Sequence, residues 1–256
     1  VAQRPSAKRS PEGLVQDFRV AALALAPRAR GRGCGYARLS PGARTKTVRP
    51  GRRKDMLYRG LELDGFQVTA IQALEAGHPV LVCAPTGTGK TIIADYVVDK
   101  ALTAGREVVY TAPIKALSNQ KFRDYTRLFG EERVGLLTGD LVIRRDAPCR
   151  VMTTEILRNM LLAGEKLPEL AAVVIDEIHF LDDRERGTTW EELLIYLPEH
   201  VQVVGLSATL ANAKAFAEWL GSVRGRKVTV VTETRRAVPL RPWICNIDEG
   251  LLPPEE

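Results

Sequence analysis

Cysteine is scarce in this sequence and carries no pattern. The four cysteines are Cys34, Cys83, Cys149 and Cys245. No two form a C-x-x-C pair, so neither a zinc site nor an iron–sulfur cluster is indicated. Four scattered thiols suit a reducing compartment, and the expected location is cytoplasmic. Long apolar runs are also missing. Nothing approaches the roughly 18 uncharged apolar residues of a membrane span, so no membrane partner is expected. The short run from Val20 to Ala26 lies between Arg19 and Arg28 and lacks a clear small-residue cleavage pattern, so it is not read as a signal peptide. No internal repeat is visible. At 45% hydrophobic and 27% charged residues, the balance is that of an ordinary globular chain.

Basic charge is present, but in one place. The formal net charge of +6 gives a pI of about 9.2. Residues 1–55 hold fourteen basic residues against three acids, a balance of +11, which leaves −5 for residues 56–256. The first 55 residues are rich in Gly, Pro and Arg and have only two aromatics, Phe18 and Tyr36. Beyond a weak helical pattern over 14–26, this extension is expected to be disordered. It reads either as a basic arm for nucleic acid or as a non-native extension upstream of a start at Met56.

From Met56 onward the texture changes. Near-continuous apolar runs predict strands over 80–83, 108–111, 134–137, 151–153, 173–176, 203–206 and 228–231. Helical periodicity predicts helices near 67–76, 91–104, 115–129, 154–162, 189–196 and 213–220. Regular strand–helix alternation with Val/Ile/Leu-rich strands argues an α/β fold: a mostly parallel sheet covered on both faces. The domain is expected over 56–232. Residues 233–256, with Pro239, Pro242, Pro253 and Pro254, read as an exit linker.

The strand 80–83 runs into A-P-T-G-T-G-K-T, Ala84 to Thr91, and a helix follows at once. That strand–loop–helix context is what a phosphate-binding loop requires. Gly87 and Gly89 let the backbone curl so that its N–H groups face phosphates. Lys90 brings a cation to the same oxygens, and the Thr91 hydroxyl is a ligand for Mg²⁺. Pro85, Thr86 and Thr88 complete the loop. Ala84 stands where the common pattern has its first Gly.

A second constellation ends the strand 173–176. D-E-I-H, Asp176 to His179, begins 86 positions after Lys90. Function in parallel α/β sheets collects at the carboxyl ends of strands. Asp176 is expected to hold Mg²⁺, Glu177 to orient and deprotonate a water, and His179 to link them to neighbouring polar groups. The bland alternative is an acidic helix start favoured by the helix dipole.

These two motifs and S-A-T (Ser207 to Thr209) occur in order, and together they resemble the first RecA-like domain of a superfamily 2 DExH helicase. L-D-G-F-Q, Leu63 to Gln67, resembles the Q motif, which implies that Gln67 reads adenine. T-A-P-I-K-A-L-S-N-Q-K-F, Thr111 to Phe122, resembles motif Ia of the superkiller/exosome-cofactor RNA helicases. T-G-D, Thr138 to Asp140, the run Met152 to Leu161 and the run Asp182 to Glu192 continue the likeness. The resemblance covers about 61–240 and does not reach 1–55. It implies a RecA-like P-loop NTPase fold, ATP with Mg²⁺, and RNA as partner, with DNA second. It also implies strand contacts from Thr111, Pro113, Lys115, Asn119, Thr138, Gly139, Thr153 and Thr154. Ser207 and Thr209 would couple ATP state to strand separation.

The residue types fit those roles. Hydroxyl, amide and ammonium groups at strand ends and helix starts grip phosphates and sugars without reading bases. Singly, each Thr or Asn could be only a helix cap. Trp190 and Trp219 read as helix-packing residues. His78 and His200 fall in turns and receive no role. Arg224-Gly225-Arg226 reads as a surface turn. Only 47 residues follow Thr209, too few for another RecA-like domain, so the chain is expected to be a fragment or a stand-alone half. Two other readings stand beside the RNA helicase: a DNA helicase of the same broad group, and a non-catalytic nucleotide- or nucleic-acid-binding module.

Overall fold

In a computed structural model of the chain, the described residues are 56–183, 187–208, 210, 212–236, 238–240, 243–246 and 250–252. The basic extension 1–55 with its helical pattern, and Thr209, lie outside them. The chain divides into two compact units, residues 1–65 and 66–256.

In the first unit, β1 (Leu57–Tyr58) and β2 (Leu61–Glu62) pair antiparallel. Arg59 and Gly60 between them both have positive φ, 51° and 78°, the backbone of a two-residue hairpin turn. Met56 O accepts the Leu63 N–H at 3.0 Å and closes the ribbon.

The second unit is built on an eight-stranded sheet. Its strands are β3 (Val80–Cys83), β4 (Glu107–Ala112), β5 (Val134–Leu137), β6 (Val142–Ile143), β7 (Cys149–Thr153), β8 (Leu170–Ile175), β9 (Gln202–Ser207) and β10 (Thr229–Thr232). The order across the sheet is β10-β3-β9-β8-β4-β7-β5-β6, and only β6 runs antiparallel to its neighbour. All seven strands read from the sequence are present within a few residues. The short β6 was not expected. Within 233–256, β11 (Ile244–Asn246) and β12 (Gly250–Leu252) form a small antiparallel hairpin, also unforeseen.

Parallel strands need crossovers, and here helices supply them on both faces. One face is covered by α1 (Gly65–Glu75), α2 (Lys90–Thr103) and α3 (Lys115–Phe129). Their buried side chains, among them Phe66, Ile93, Val98 and Tyr125, meet alternate strand residues such as Val82, Tyr110, Val151 and Val174 in one core cluster. The other face carries α4 (Thr154–Leu162), α5 (Gly187–Tyr196) and α6 (Ala213–Arg224). Trp190 on α5 is fully buried, and Trp219 on α6 lies 5.7 Å from Phe216, ring centre to ring centre. Gly205 in β9 admits the close approach of Ile178, since a Cβ there would come 2.9 Å from Ile178 Cδ1.

Gly225 and Arg226 form the exposed turn read from the sequence, but Arg224 does not belong to the surface. Its guanidinium is buried and donates to the carbonyls of Leu197, Pro198 and Val201 at 2.5, 2.5 and 3.0 Å. Gly225, left-handed at φ 60°, ends the helix so that this last side chain can turn inward. Cys83 and Cys149 are buried free thiols, and burial pushes Cys149 up to about 12. Among the described residues, no helix is long and apolar enough to cross a membrane.

Candidate functional site

The phosphate-type loop leaves β3, which lies between the edge strand β10 and β9. Its first residue, Ala84, is fully buried and donates its N–H to Ser207 O on the neighbouring β9 at 3.0 Å. This buried position accommodates the methyl group of Ala84 where the common pattern has Gly. The loop then turns through Gly87 at φ 85° and Gly89 at φ 83°, a conformation that costs a residue with a Cβ about 1–2 kcal/mol. The Thr88 hydroxyl donates back to Pro85 O at 2.7 Å. The first turn of α2 begins after Gly89 with no side-chain cap. Lys90 Nζ donates to Ala84 O at 2.5 Å and Pro85 O at 3.1 Å, so the ammonium lies inside the curl of the loop. Burial holds Lys90 below the usual lysine range, opposed by the charges of Glu177 and Asp176.

Gln67, expected to read adenine, is hydrogen-bonded to the loop. It is buried, and its Nε2 donates to Gly89 O at 3.1 Å and Thr88 O at 3.5 Å. A Cβ on Gly89 would come 2.7 Å from that nitrogen. Gln67 therefore fastens α1 to the loop and fills the space that a larger residue at 89 would need.

Asp176 follows the last residue of β8, and its N–H continues the sheet ladder to Thr111 O at 2.9 Å. Its Oδ1 accepts the Glu177 N–H at 3.0 Å. Its Oδ2 accepts the Tyr110 O–H at 2.5 Å. Glu177 sits in the left-handed region at φ 50° and ψ 45°, unusual for a residue with a side chain. That backbone turn swings it out of the strand direction and into the 3-10 turn Ile178–Asp182. Burial, then the adjacent Asp176, raises the Glu177 carboxyl above the usual glutamate range, while His179 and Lys90 pull it back. His179 Nδ1 lies 3.3 Å from Glu177 Oε2, and its ring stacks on Phe180 at 5.2 Å. These four residues, Lys90, Asp176, Glu177 and His179, are thus brought into one electrostatic neighbourhood at the carboxyl ends of the strands. Among the described residues, no cluster of three or more His, Cys, Asp or Glu side chains could hold a metal alone.

The expected strand contacts separate into two groups. Thr111, Pro113, Thr138, Thr153 and Thr154 are buried. Thr111 Oγ1 donates to Val174 O at 3.3 Å within the sheet, and Thr154 Oγ1, at the start of α4, donates to Ala112 O at the end of β4 at 3.5 Å. Both side chains are fully buried, and each hydroxyl is bonded to a carbonyl of β8 or β4. Thr138 holds its own loop, donating to Leu141 O at 3.3 Å and accepting the Leu141 N–H at 3.2 Å. Lys115, Asn119 and Gly139 are exposed. Lys115 forms an ion pair with Asp140, which ties the start of α3 to the loop after β5. Ser207 is fully buried, and its hydroxyl has no partner among the described residues.

Tyr110 and Arg224 are the residues that motif reading missed. Tyr110 lies one position before the motif Ia run. Nothing in the local pattern separates it from an ordinary apolar strand residue, because its contact spans 66 positions of sequence.

Comparison with known proteins agrees with this geometry. A family model described as DEAD/DEAH box helicase matches residues 64–216. The chain is 55% identical over 179 residues to the probable helicase HelY of Mycobacterium tuberculosis, covering 70% of this chain and 20% of that protein. It is 48% identical over 198 residues to the DExH-box ATP-dependent RNA helicase DExH15 of Arabidopsis thaliana, covering 75% of this chain and 17% of that protein. To the human superkiller complex protein 2 it is 47% identical over 184 residues, covering 72% of this chain and 15% of that protein. The chain spans a fifth or less of the length of these relatives. Among solved structures, the helicase domain of Pyrococcus furiosus Hef matches with a TM-score of 0.53 at 26% identity, over 66% of this chain and 38% of that one. The helicase MrfA, bound to DNA and AMPPNP, shares the fold with a TM-score of 0.58 at 21% identity, over 67% of this chain and 27% of that one. Since the family match covers more than half of the chain and takes in both the phosphate-type loop and the D-E-I-H strand end, the chain belongs to the DEAD/DEAH box helicase family.

Proposed function

We propose that this chain is the ATP-binding half of an ATP-dependent RNA helicase, active at full rate only with a second RecA-like domain, normally in the same chain. The observation that carries the proposal is the glycine curl that holds the Lys90 ammonium, with the Asp176 and Glu177 carboxylates near enough for their charges to act on it. The curl that holds Lys90 fits a polyphosphate: two left-handed glycines, a cation inside, and an uncapped helix start. Thr91 and Asp176 are hard oxygen donors and suit Mg²⁺, which takes few protein ligands and shares the rest with phosphate and water.

Bound MgATP supplies the scissile anhydride and the charge to be neutralised. The residues do the rest. Lys90 leaves the loop carbonyls and turns its charge to the β- and γ-phosphates. Gln67 keeps the loop in its curled form. Glu177, with its carboxyl raised, accepts a proton from the attacking water, and His179 steadies the resulting charge arrangement. Arginines from the second domain would complete transition-state stabilisation, worth about 10³ to 10⁵ in rate in related phosphoryl transfer.

RNA is favoured over DNA by the Ile114 to Asn119 run of motif Ia and by the RNA helicases and superkiller proteins among the relatives. Lys115, Asn119 and the backbone at Gly139 are the exposed groups for a sugar–phosphate chain. The test is ATP turnover with and without single-stranded RNA, by this chain alone and by a longer chain carrying the second domain. RNA-stimulated turnover only in the longer chain, abolished by Lys90→Ala, is expected. Strong stimulated turnover by the 256-residue chain alone would overturn the two-domain requirement, and preference for DNA overhangs in competition would overturn the RNA assignment.

A further inference from the structure

β4 lies beside β8, with Tyr110 opposite Val174. Strand alternation puts Asp176, two residues beyond Val174, on the same face of the sheet. Tyr110 is therefore the diagonal neighbour of Asp176, and its O–H donates to Oδ2 at 2.5 Å. The other oxygen already accepts the Glu177 N–H at 3.0 Å. With a protein donor on each oxygen, the carboxylate is held in one orientation.

The ring of Tyr110 is itself fixed. It is 2% exposed and meets Tyr125 edge to face at 5.5 Å, and Tyr125 meets Phe129 at 5.2 Å. The Lys121 ammonium sits 5.2 and 4.9 Å from the centres of the two tyrosine rings. Lys121, Tyr125 and Phe129 all belong to α3, whose exposed start carries Lys115 and Asn119. A purely structural tyrosine needs only some acceptor for its O–H. This one uses it on the carboxylate that ends β8.

We propose that Tyr110 is a positioning residue: its hydroxyl fixes the Asp176 carboxylate for the Mg²⁺ that accompanies ATP. The proposal rests on the nucleotide-site reading above. It predicts that the hydroxyl matters to metal and not to nucleotide as such, since groups that orient a metal ligand change metal affinity about 10- to 100-fold.

The experiment is calorimetric titration of the 256-residue chain with AMPPNP, in EDTA and over a series of Mg²⁺ concentrations. Tyr110→Phe keeps the ring and removes one oxygen. It is expected to raise the Mg²⁺ concentration for half-saturation about 10- to 100-fold, with the affinity in EDTA and the melting midpoint little changed. Tyr125→Phe deletes the same group one ring further from Asp176 and should leave the Mg²⁺ dependence at the wild-type value, even where it lowers the melting midpoint. In an Asp176→Asn background, Tyr110→Phe should add no further shift. An unchanged Mg²⁺ dependence in Tyr110→Phe, an equal shift in Tyr125→Phe, or an undiminished shift in the Asp176→Asn background each overturns the role of Tyr110. A wild-type chain whose AMPPNP affinity ignores both Mg²⁺ and Lys90→Ala sinks the nucleotide-site reading and this role with it.

Discussion

The nucleotide side and the strand side of the sheet edge hold their side chains differently. On the nucleotide side, three side chains are held by hydrogen bonds: Lys90 by loop carbonyls, Gln67 by the loop, Asp176 by Tyr110 and the Glu177 N–H. On the strand side, the threonines expected to grip RNA are all buried, and three exposed positions remain, Lys115, Asn119 and Gly139. Chemistry on a phosphoryl group needs fixed geometry, so preorganised side chains suit it. Holding a strand of any sequence needs only a few cations and backbone N–H groups.

Several substitutions would break or sharpen that contrast. The largest effect is expected from Glu177→Gln, which should lower turnover of the two-domain protein about 10²- to 10⁴-fold while nucleotide still binds. Its raised carboxyl sets a direction for pH as well. The base must be ionised, so the acid limb of the wild-type rate profile should lie above the ordinary glutamate value of about 4.3. The stability sign follows from the same shift. A raised folded value favours the fold below the unfolded value, and that contribution is lost as pH rises through the folded one. Glu177→Gln should therefore gain melting temperature relative to wild type as pH rises through that window, and show no gain below it. A rate profile with its acid limb at or below the ordinary value would contradict the burial of Glu177.

Lys90→Ala comes next. Losing a charge-assisted contact should weaken nucleotide about 10- to 100-fold by calorimetry and leave RNA binding untouched. Arg224→Ala probes a buried cation that belongs to neither side. Three carbonyls lose their donor, so denaturant unfolding should show a loss of about 1–3 kcal/mol, with nucleotide affinity unchanged. On the strand side, Lys115→Ala should weaken RNA binding several-fold and reduce the salt slope by about 1. Thr111→Val should change RNA affinity least of all, because its hydroxyl faces Val174 O inside the sheet. A large RNA-binding defect in Thr111→Val would end the distinction between the two regions.

Much of this architecture was legible beforehand for a simple reason. Central parallel strands are buried on both faces, so β3, β4, β8 and β9 appear as unbroken apolar runs such as Val80–Cys83. Two-residue strands such as β6 carry no such run, and the hairpin of β11 and β12 lies in a proline-rich stretch that reads as linker. The phosphate-type loop was legible because glycine spacing dictates backbone shape directly. The strand contacts were less so. A threonine near a strand end or at a helix start looks the same in sequence whether its hydroxyl faces solvent or a neighbouring carbonyl, as Thr111 and Thr154 demonstrate.

Charge divides along the same line. The excess of basic residues belongs to 1–55, and residues 56–256 carry −5, so the part of the sequence that holds the helicase motifs has no net basic charge to attract nucleic acid. By itself the sequence determined the alternation of strands and helices, the loop that curls around Lys90, and the acidic pair at 176–177. These follow from local rules of periodicity, glycine backbone freedom and motif spacing. Only the tertiary structure decided which hydroxyls are free, that Gln67 fastens the loop, that Arg224 turns inward, and that Tyr110 meets Asp176. The physical reason is strand order: β4 lies beside β8, and no local pattern encodes which strands become neighbours or which groups their pairing uses up.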